Sequence, residues 1–365
     1  MRGREIAENG NQIKRVNPST YHVKSQNGNG PYSVLKDGSE WKCSCPDHFY
    51  RNVKCKHVWA VEFSLALRQT VAGHIVIEPI SVQTCPVCNS GQIVRHGVRH
   101  NESGDIQRYT CASCGRWFVV NLGFERIKAS PQIITSAMQL YFTGESLRNV
   151  QKFLRLQGVS VSHVAVYKWI RKYVRLMEKY LEQIKPQVSE TWRADELYLK
   201  VKGDMKYLFA MMDDETRFWI AQEVADTKHN YDGRRLFSKA RDTIGRRPKT
   251  LITDGLPSYR EAYLKEFYTM SKATRTEHIY SIRIQGDRNN NKMERLNGEI
   301  RDREKVMRGL KNPDTPIIPG YQIYHNCVRP HEALDGKTPA EACGIEIQGT
   351  NKWLTLIQNA SRTKE

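Results

Sequence analysis

Cysteine and histidine residues in the first third of the chain stand at spacings typical of zinc ligands. One group reads C-x-C and then, after nine residues, C-x-H, and a second consists of two C-x-x-C pairs separated by 22 residues. Structural zinc takes four such ligands, and each close pair lets two of them reach one ion. The predicted ligands are Cys43, Cys45, Cys55 and His57 for one ion, and Cys85, Cys88, Cys111 and Cys114 for another.

Other interpretations of these cysteines explain their spacing less well. Disulfides need an oxidising compartment, and the first residues of the chain contain no apolar signal segment. A redox role for C-x-x-C would need a thioredoxin-like unit, which the sequence lacks. Buried cysteines beside an unrelated histidine would not require two tight pairs. Gly115, directly after the last cysteine, is expected to let backbone amides approach the thiolates.

A further group of potential ligands is acidic and lies in the second half of the chain. Asp195 stands in a strand with apolar neighbours, Asp254 closes an apolar strand before Gly255, and Glu294 lies on a helix with an apolar face. Carboxylates brought together from separate elements repel one another unless cations neutralise them. Two Mg²⁺ or Mn²⁺ ions would do so, and would also activate water and stabilise a leaving oxygen. Because the chain has 39 acidic residues, such a series also arises by chance.

The elements that must position the first zinc group are short. The first 30 residues are polar and rich in glycine and asparagine, which predicts a flexible arm with part of a strand. Residues 31–35 and 39–43 predict a hairpin turned at Asp37 and Gly38, and a helix is predicted from Lys56 to about Leu67.

Helices are predicted next, over residues 132–141, 146–156 and 162–173, the last continuing as an apolar stripe toward Ile184. The short turn and serine cap before the third helix fit a helix-turn-helix, whose recognition helix enters the major groove of DNA. Val166, Trp169 and Ile170 would then pack inward. The residues expected to face DNA are Ser162, His163, Tyr167, Lys168 and Arg171. An ordinary three-helix core is the alternative.

After Pro186 the pattern changes to strands over residues 192–201, 206–213 and 217–223, then a helix, then a strand at 250–253. This order indicates an α/β domain. Asp213 and Asp214 are interpreted as the turn between two of these strands.

The composition favours a polyanionic partner. The chain carries a formal net charge of +18. Its length of 365 residues predicts two or three domains, and a hydrophobic fraction of 39% is enough to build their cores. Nucleic acid is the expected partner, and a charge kept for solubility is the alternative. The sequence contains no stretch of about 18 apolar residues, which a membrane-spanning helix would need, so we expect a soluble cytoplasmic protein. Basic residues between the C-x-x-C pairs would suit DNA backbone contact or a solvated face: Arg95, His96, Arg99, His100 and Arg108.

From Thr191 to about Ile345 the chain resembles the catalytic domain of insertion-sequence DDE transposases, in the retroviral integrase superfamily. The stretches that carry the resemblance are residues 195–203, 253–255, 290–298 with 301–303, 324–331 and 337–342. The helix-turn-helix resembles the segment that precedes this domain in the same transposases, and residues 31–67 resemble a SWIM-type zinc finger.

The resemblance implies an RNase H-like fold in which Asp195, Asp254 and Glu294 are the catalytic ligands of Mg²⁺ or Mn²⁺. The 39 residues between Asp254 and Glu294 exceed the usual spacing of the family, and an insertion near residues 286–289 would explain the difference. Glu299 is the alternative to Glu294 as the third catalytic carboxylate. The predicted protein is a multidomain α/β chain. Its predicted domains are a SWIM-type zinc finger at 31–70, a zinc ribbon at 81–122, a helix-turn-helix with linker helix at 130–187 and an RNase H-like catalytic domain at 190–345.

The function implied is that of a transposase that binds element terminal repeats and target DNA, cuts DNA and transfers strands. It would use two structural Zn²⁺ and two catalytic Mg²⁺ or Mn²⁺ ions, work as a homo-oligomer and act in the cytoplasm at the nucleoid. A non-catalytic, zinc-dependent DNA-binding regulator derived from a transposase is the alternative. A site-specific nuclease without joining activity is a third possibility.

Overall fold

The computed structural model describes residues 12–17, 19–24, 30–37, 40–51, 53–62, 74–80, 83–101, 104–119, 123–125, 127–280, 290–307, 310 and 315–362. The chain divides into two compact units, Met1–Ile75 and Val76–Glu365. In the part of the chain that is described, no helix is both long enough and apolar enough to cross a membrane.

The first unit is built on an antiparallel sheet of four strands in sequential order. The strands are β1 (Ile13–Asn17), β2 (Thr20–Lys24), β3 (Pro31–Asp37) and β4 (Glu40–Cys43), followed by helix α1 (Pro46–Arg51) and helix α2 (residues 56–62). Apolar side chains from the sheet and α2 pack around the first cysteine group. The buried members of this core are Tyr21, Val23, Val34, Cys43, Cys45, Cys55, Val58, Ala60 and Val61.

The predicted hairpin is confirmed, because Val34 pairs with Cys43 and Asp37 with Glu40. Before it, the sequence predicts a flexible arm with part of a strand, whereas β1 and β2 pair as a second antiparallel hairpin. Tyr21 and Val23 are buried on one face of β2, but this alternation spans too few apolar residues to stand out in a polar sequence. The turn residue Gly38 and the end of the helix predicted to reach Leu67 lie outside the described residues.

The second unit begins at strand β5 (Ile75–Ile77), which pairs with a late strand, β14 (Ile345–Ile347). A three-stranded antiparallel sheet follows, made of β6 (Ile93–Asn101), β7 (Gly104–Cys111) and β8 (Trp117–Val119). One C-x-x-C pair, Cys85 and Cys88, lies at the turn before β6. The other, Cys111 and Cys114, lies at the turn between β7 and β8.

Three capped helices come next, as the sequence predicts. They are α3 (Pro131–Thr143), α4 (Leu147–Leu156) and α5 (His163–Leu181). A serine precedes each helix and accepts a hydrogen bond from a backbone N–H in the first turn, and Pro131 occupies the first position of α3. Helix α5 continues to Leu181, and Val166 and Ile170 are fully buried on it while Trp169 is half-buried.

A five-stranded mixed sheet forms the centre of the second unit. Its strands are β9 (Thr191–Val201), β10 (Asp204–Asp213), β11 (Trp219–Ala225), β12 (Thr250–Ile252) and β13 (Glu277–Ile279), in the order β11-β10-β9-β12-β13. Strands β9 to β11 are antiparallel, and β12 runs parallel to both β9 and β13. This topology, 3-2-1-4-5 with two parallel strands after an antiparallel meander, is that of an RNase H-like domain.

Six α-helices complete the described part of the second unit after β11. They are α6 (Asn230–Ile244), α7 (Pro257–Glu266), α8 (Asn291–Met307), α9 (Ile317–Ile323), α10 (Pro339–Ala342) and α11 (Lys352–Arg362), and a π-helical turn (Tyr324–Val328) continues α9. Aromatic rings of Phe237, Tyr259 and Phe267 stack between α6 and α7. Helix α8 buries its predicted apolar face of Met293, Leu296 and Ile300. The region proposed to hold an insertion, residues 286–289, lies outside the described residues.

Candidate metal centres and acidic site

The first cysteine group converges at the end of the β3–β4 hairpin. Cys43 ends β4, Cys45 precedes α1, and Cys55 and His57 stand at the start of α2. All four side chains are buried, and one ligand atom from each lies within 4.8 Å of the others. His57 Nδ1 is 3.9 Å from both Cys43 Sγ and Cys55 Sγ. Since Zn–S bonds of ~2.3 Å place tetrahedral ligands about 3.8 Å apart, this group fits zinc.

His57 also shows which ring nitrogen faces the thiols. Its Nδ1 points at the sulfurs, whereas its Nε2 is buried and has no hydrogen-bond partner among the described residues. A neutral imidazole that binds metal through Nδ1 carries its proton on Nε2. The contact between Cys43 and Cys55 lowers the pKa of Cys55 and raises that of Cys43, so one thiol of this pair ionises before the other.

The second group forms in the three-stranded sheet. Cys85 Sγ lies 3.7 Å from Cys114 Sγ, and Cys88 Sγ lies 3.5 Å from Cys111 Sγ, again the spacing of a zinc tetrahedron. Gly115 adopts a φ of 69°, a left-handed conformation that glycine reaches without strain. The backbone N–H of Cys114 donates to the Cys111 sulfur and lowers the pKa of that thiol to about 6. The predicted role of Gly115 therefore has a geometric basis.

Two of the predicted acidic residues meet on neighbouring parallel strands. Asp195 lies in the middle of β9, opposite Ala210 of β10. Asp254 follows β12, whose Ile252 pairs with Arg193 of β9, so the chain rises to the level of Asp195 as β12 ends. Ligand oxygens of Asp195, Asp254 and the adjacent Glu196 all lie within 4.8 Å of one another.

Glu294 stands on helix α8, near this site. It lies outside the group formed by Asp195, Glu196 and Asp254, yet its charge is felt by Asp195. One turn further along α8, Asn297 Nδ2 donates a hydrogen bond of 2.9 Å to Asp195 Oδ2. The structure therefore brings the first two residues together and places the third, which is exposed, beside them.

Burial and mutual repulsion of the carboxylates in the acidic site favour binding of a cation. Burial raises the pKa of Asp195 to about 7, and the charges of Glu196 and Asp254 add to this effect. Burial and the charge of Glu196 also raise the pKa of Asp254. Hard oxygen ligands that repel one another are the donor set that Mg²⁺ and Mn²⁺ prefer, so these residues fit such ions.

Glu196 is the member of the group that sequence reasoning missed. Lys228 Nζ lies 2.7 Å from its Oε1, and the hydroxyl of Tyr259 donates to its Oε2 at 2.9 Å. Lys228 also lies 5.0 Å from the ring centres of Tyr198 and Tyr207. Neighbouring residues of a strand point to opposite faces of a sheet, so the sequence does not predict that the carboxylates of Glu196 and Asp195 are close. The three-dimensional structure shows that they are.

The neighbouring acidic residues have other partners. Asp213 ends β10 and Asp214 begins the turn to β11, as predicted. Asp213 is fully buried and accepts hydrogen bonds from Ser189 Oγ at 2.6 Å and Thr216 N at 2.8 Å. Asp214 forms ion pairs with Arg193 and Lys292.

The fallback residue Glu299 also has a partner of its own. It forms an ion pair with Arg329 and does not join the carboxylate group of the described residues. Its carboxylate is therefore engaged in packing α8 against the chain that follows the π-helical turn.

The residues predicted to face DNA lie at the start of α5. Lys168 and Arg171 are exposed, whereas His163 and Tyr167 are half-buried. Ser162 is exposed, and its hydroxyl accepts a hydrogen bond from Ala165 N as the helix cap. The two cationic side chains are thus the ones that are fully available to a partner.

Family models match two parts of this chain. The DDE domain model matches residues 189–331, and the SWIM zinc finger model matches residues 22–66. The first match falls on the segment that forms the five-stranded sheet, and the second on the segment of the four-stranded sheet that carries the first cysteine group.

Curated relatives and solved structures are similar to part of this chain. The transposases for insertion sequence-like element IS431mec and for insertion sequence element IS257 in transposon Tn4003, both from Staphylococcus aureus, are each 28% identical over 137 residues, which are 36% of this chain and 59% of each relative. The chain thus spans less than two thirds of the length of these relatives. The HTLV-2 integrase catalytic core domain, solved in complex with magnesium in a trimeric form, is 18% identical with a TM-score of 0.32, covering 44% of this chain and 98% of that one.

Proposed function

We propose that this protein is a transposase that binds the ends of a mobile element and performs metal-dependent DNA cleavage and strand transfer. The observation that carries the proposal is the meeting of Asp195 and Asp254 from adjacent parallel strands, with the helix that bears Glu294 joined to Asp195. The similarity of this region to two insertion-sequence transposases supports it.

In this function Asp195, Asp254 and Glu294 are the catalytic carboxylates. Two Mg²⁺ or Mn²⁺ ions held by them would activate water and stabilise the leaving oxygen of a phosphodiester. Asp195 stands on β9 and Asp254 stands two residues after β12, so the central sheet positions both, while Glu294 comes from a separate helix. Lys228 balances the charge of Glu196 behind this pair.

The two cysteine groups are proposed to hold one structural Zn²⁺ each. The four ligand atoms in each group stand at tetrahedral spacing, which leaves no open position for chemistry. The zinc modules would then shape surfaces for DNA. In the second module Arg108 lies 4.8 Å from the ring centre of the exposed Trp117, beside further basic residues.

Double-stranded DNA, as element ends and as target, is the proposed partner. The net charge of +18 favours it, and the exposed Lys168 and Arg171 on α5 supply cations at a helix whose N-terminal turn is free of acidic residues. We further propose that the active complex is a homo-oligomer, since cutting and joining two element ends requires two acidic sites.

One assay separates this function from its alternatives. Purified protein is incubated with element-end DNA, target DNA and Mn²⁺, and the products are resolved on denaturing gels. Cleavage with joined products supports a transposase, and cleavage without joining indicates a nuclease. Tight binding without cleavage would leave the non-catalytic regulator and contradict the proposed activity.

Replacing Lys168 or Arg171 with alanine is expected to weaken DNA binding with little change in thermal stability, because both side chains are exposed on α5. A lost phosphate contact lowers the salt slope of binding by about one unit on every sequence, whereas a lost base contact costs about 1–3 kcal/mol at specific sites only. Fluorescence anisotropy with specific and random duplexes over a salt series measures both.

Arg175, exposed further along the same helix, provides the matched control. Its alanine variant removes the same charge at a greater distance from the helix start, so a smaller effect is expected. Unchanged binding in both Lys168→Ala and Arg171→Ala would show that the three helices act as a scaffold.

A further inference from the structure

We propose that Asn297 is a positioning residue that orients the Asp195 carboxylate for metal binding and ties it to the helix that carries Glu294. The inference rests on the proposed function, because it treats Asp195 as a metal ligand. It assigns to Asn297 a role that depends on a single contact between helix α8 and the central strand β9.

The contact is direct and enclosed. Asn297 Nδ2 lies 2.9 Å from Asp195 Oδ2, joining residues 102 positions apart in the sequence. The asparagine is only 3% exposed, so its side of this hydrogen bond is shielded from water, while Asp195 is half-buried. Glu294 stands three residues earlier on α8, a spacing that places it on the same side of the helix.

The orientation of the amide follows from its partner. In the structure the NH₂ of Asn297 faces Asp195 Oδ2, as suits a metal-binding carboxylate, which offers only acceptors when it is ionised. The oxygen, Oδ1, is then left buried with no hydrogen-bond partner among the described residues. A buried unpaired acceptor costs free energy that an apolar side chain would avoid, which indicates that the amide is kept for its contact with Asp195.

The consequence for the site is geometric. A donor on Oδ2 limits rotation of the carboxylate and so fixes the direction in which Oδ1 of Asp195 faces. A second contact, in which Glu304 accepts a hydrogen bond from Lys200 N, holds the later part of α8 against β9. Partners outside a metal's own ligands that fix a ligand in this way affect metal affinity about 10–100-fold.

The test measures Mn²⁺ binding by the full-length, zinc-loaded protein without DNA. Binding is monitored as the loss of the electron paramagnetic resonance signal of free Mn²⁺. Asn297→Ala is expected to bind Mn²⁺ roughly tenfold more weakly than wild type. Asn297→Gln, which keeps the amide donor, is expected to recover part of that affinity. A protein with both Asp195→Asn and Asp254→Asn measures binding elsewhere on the chain.

Asn326→Ala is the matched control. Asn326 is 4% exposed and hydrogen-bonds the backbone N–H and carbonyl of Trp219, so its loss lowers stability without touching the acidic group. Wild-type Mn²⁺ affinity is expected for it. Equal weakening in Asn326→Ala and Asn297→Ala, or unchanged affinity in Asn297→Ala, would overturn the positioning role.

Activity gives a second readout. Cleavage by Asn297→Ala is expected to approach the wild-type rate as Mn²⁺ is raised, with an unchanged KM for DNA; a deficit that Mn²⁺ does not relieve would contradict the proposal. If wild-type protein binds Mn²⁺ in an Asn297-dependent way but never cuts DNA, the proposed transposase function fails while the positioning role stands.

Discussion

Asp254→Asn is expected to abolish DNA cleavage and strand transfer while the fold and the binding of element ends survive. The substitution keeps the shape of the side chain but removes one of the charges that would hold divalent ions beside Asp195. Because such ions supply several kcal/mol of transition-state stabilisation, the rate should fall about 10³-fold or more. Gel-based cleavage and joining assays with Mn²⁺ measure the loss, and anisotropy measures the retained binding.

Asp195→Asn and Glu294→Gln should behave in the same way. Asp302→Asn is the matched control, because Asp302 lies on the same helix as Glu294 but its side chain is 77% exposed and pairs only with Lys305 among the described residues. Glu299→Gln should also retain activity, since Glu299 is engaged by Arg329. If Glu299→Gln were inactive and Glu294→Gln active, the assignment on α8 would be wrong.

Asp213→Asn should keep its activity but lose stability. The carboxylate is fully buried and accepts hydrogen bonds from Ser189 and Thr216, which an amide cannot all replace. Thermal unfolding separates this effect from catalysis. If every one of these acidic variants cut and joined DNA normally, the proposed catalytic role of the acidic site would be contradicted and a DNA-binding regulator would be favoured.

Purified protein is expected to hold two zinc ions per chain, and Cys111→Ser is expected to remove one of them. Cys111 is fully buried among the ligands of the second group, so the variant leaves three ligands and an incomplete tetrahedron. Structural zinc supplies about 10 kcal/mol or more of folding free energy to small modules, and the three-stranded sheet should therefore unfold. Elemental analysis and circular dichroism measure metal content and structure.

Cys327→Ala provides the control for this experiment. Cys327 is buried in the π-helical turn and belongs to neither zinc group, so two zinc ions should remain. Dialysis should remove ions from the acidic site but not from the cysteine groups. A folded protein with one zinc ion or none, or a Cys111→Ser variant that retains two, would refute the assignment of at least one group.

The two cysteine groups were predictable from the sequence because each is built from pairs of neighbouring residues. Each C-x-C, C-x-H or C-x-x-C pair is a short turn whose two ligands must lie together whatever the rest of the chain does. The three helices were predictable for a similar reason, since a serine cap and 3.6-residue periodicity are properties of neighbouring residues.

The acidic site was predictable only in part. Predicted strands and a helix identified Asp195, Asp254 and Glu294 as candidates, and the resemblance to DDE transposases implied their catalytic role, but residue types alone did not separate these three from the other acidic residues of the chain. Strand pairing between β9 and β12 decides that Asp195 and Asp254 meet, because a shift of one residue in that register would turn Asp195 to the opposite face.

Contacts between distant residues were beyond the reach of sequence patterns. The closeness of Glu196 to Asp195, its engagement by Lys228 and Tyr259, and the hydrogen bond from Asn297 all join side chains from different elements. Helix and strand periodicity describes which face a residue occupies, but not which residue of another element lies opposite. That pairing is set by how α6, α7 and α8 pack on the sheet, so only the tertiary structure decides it.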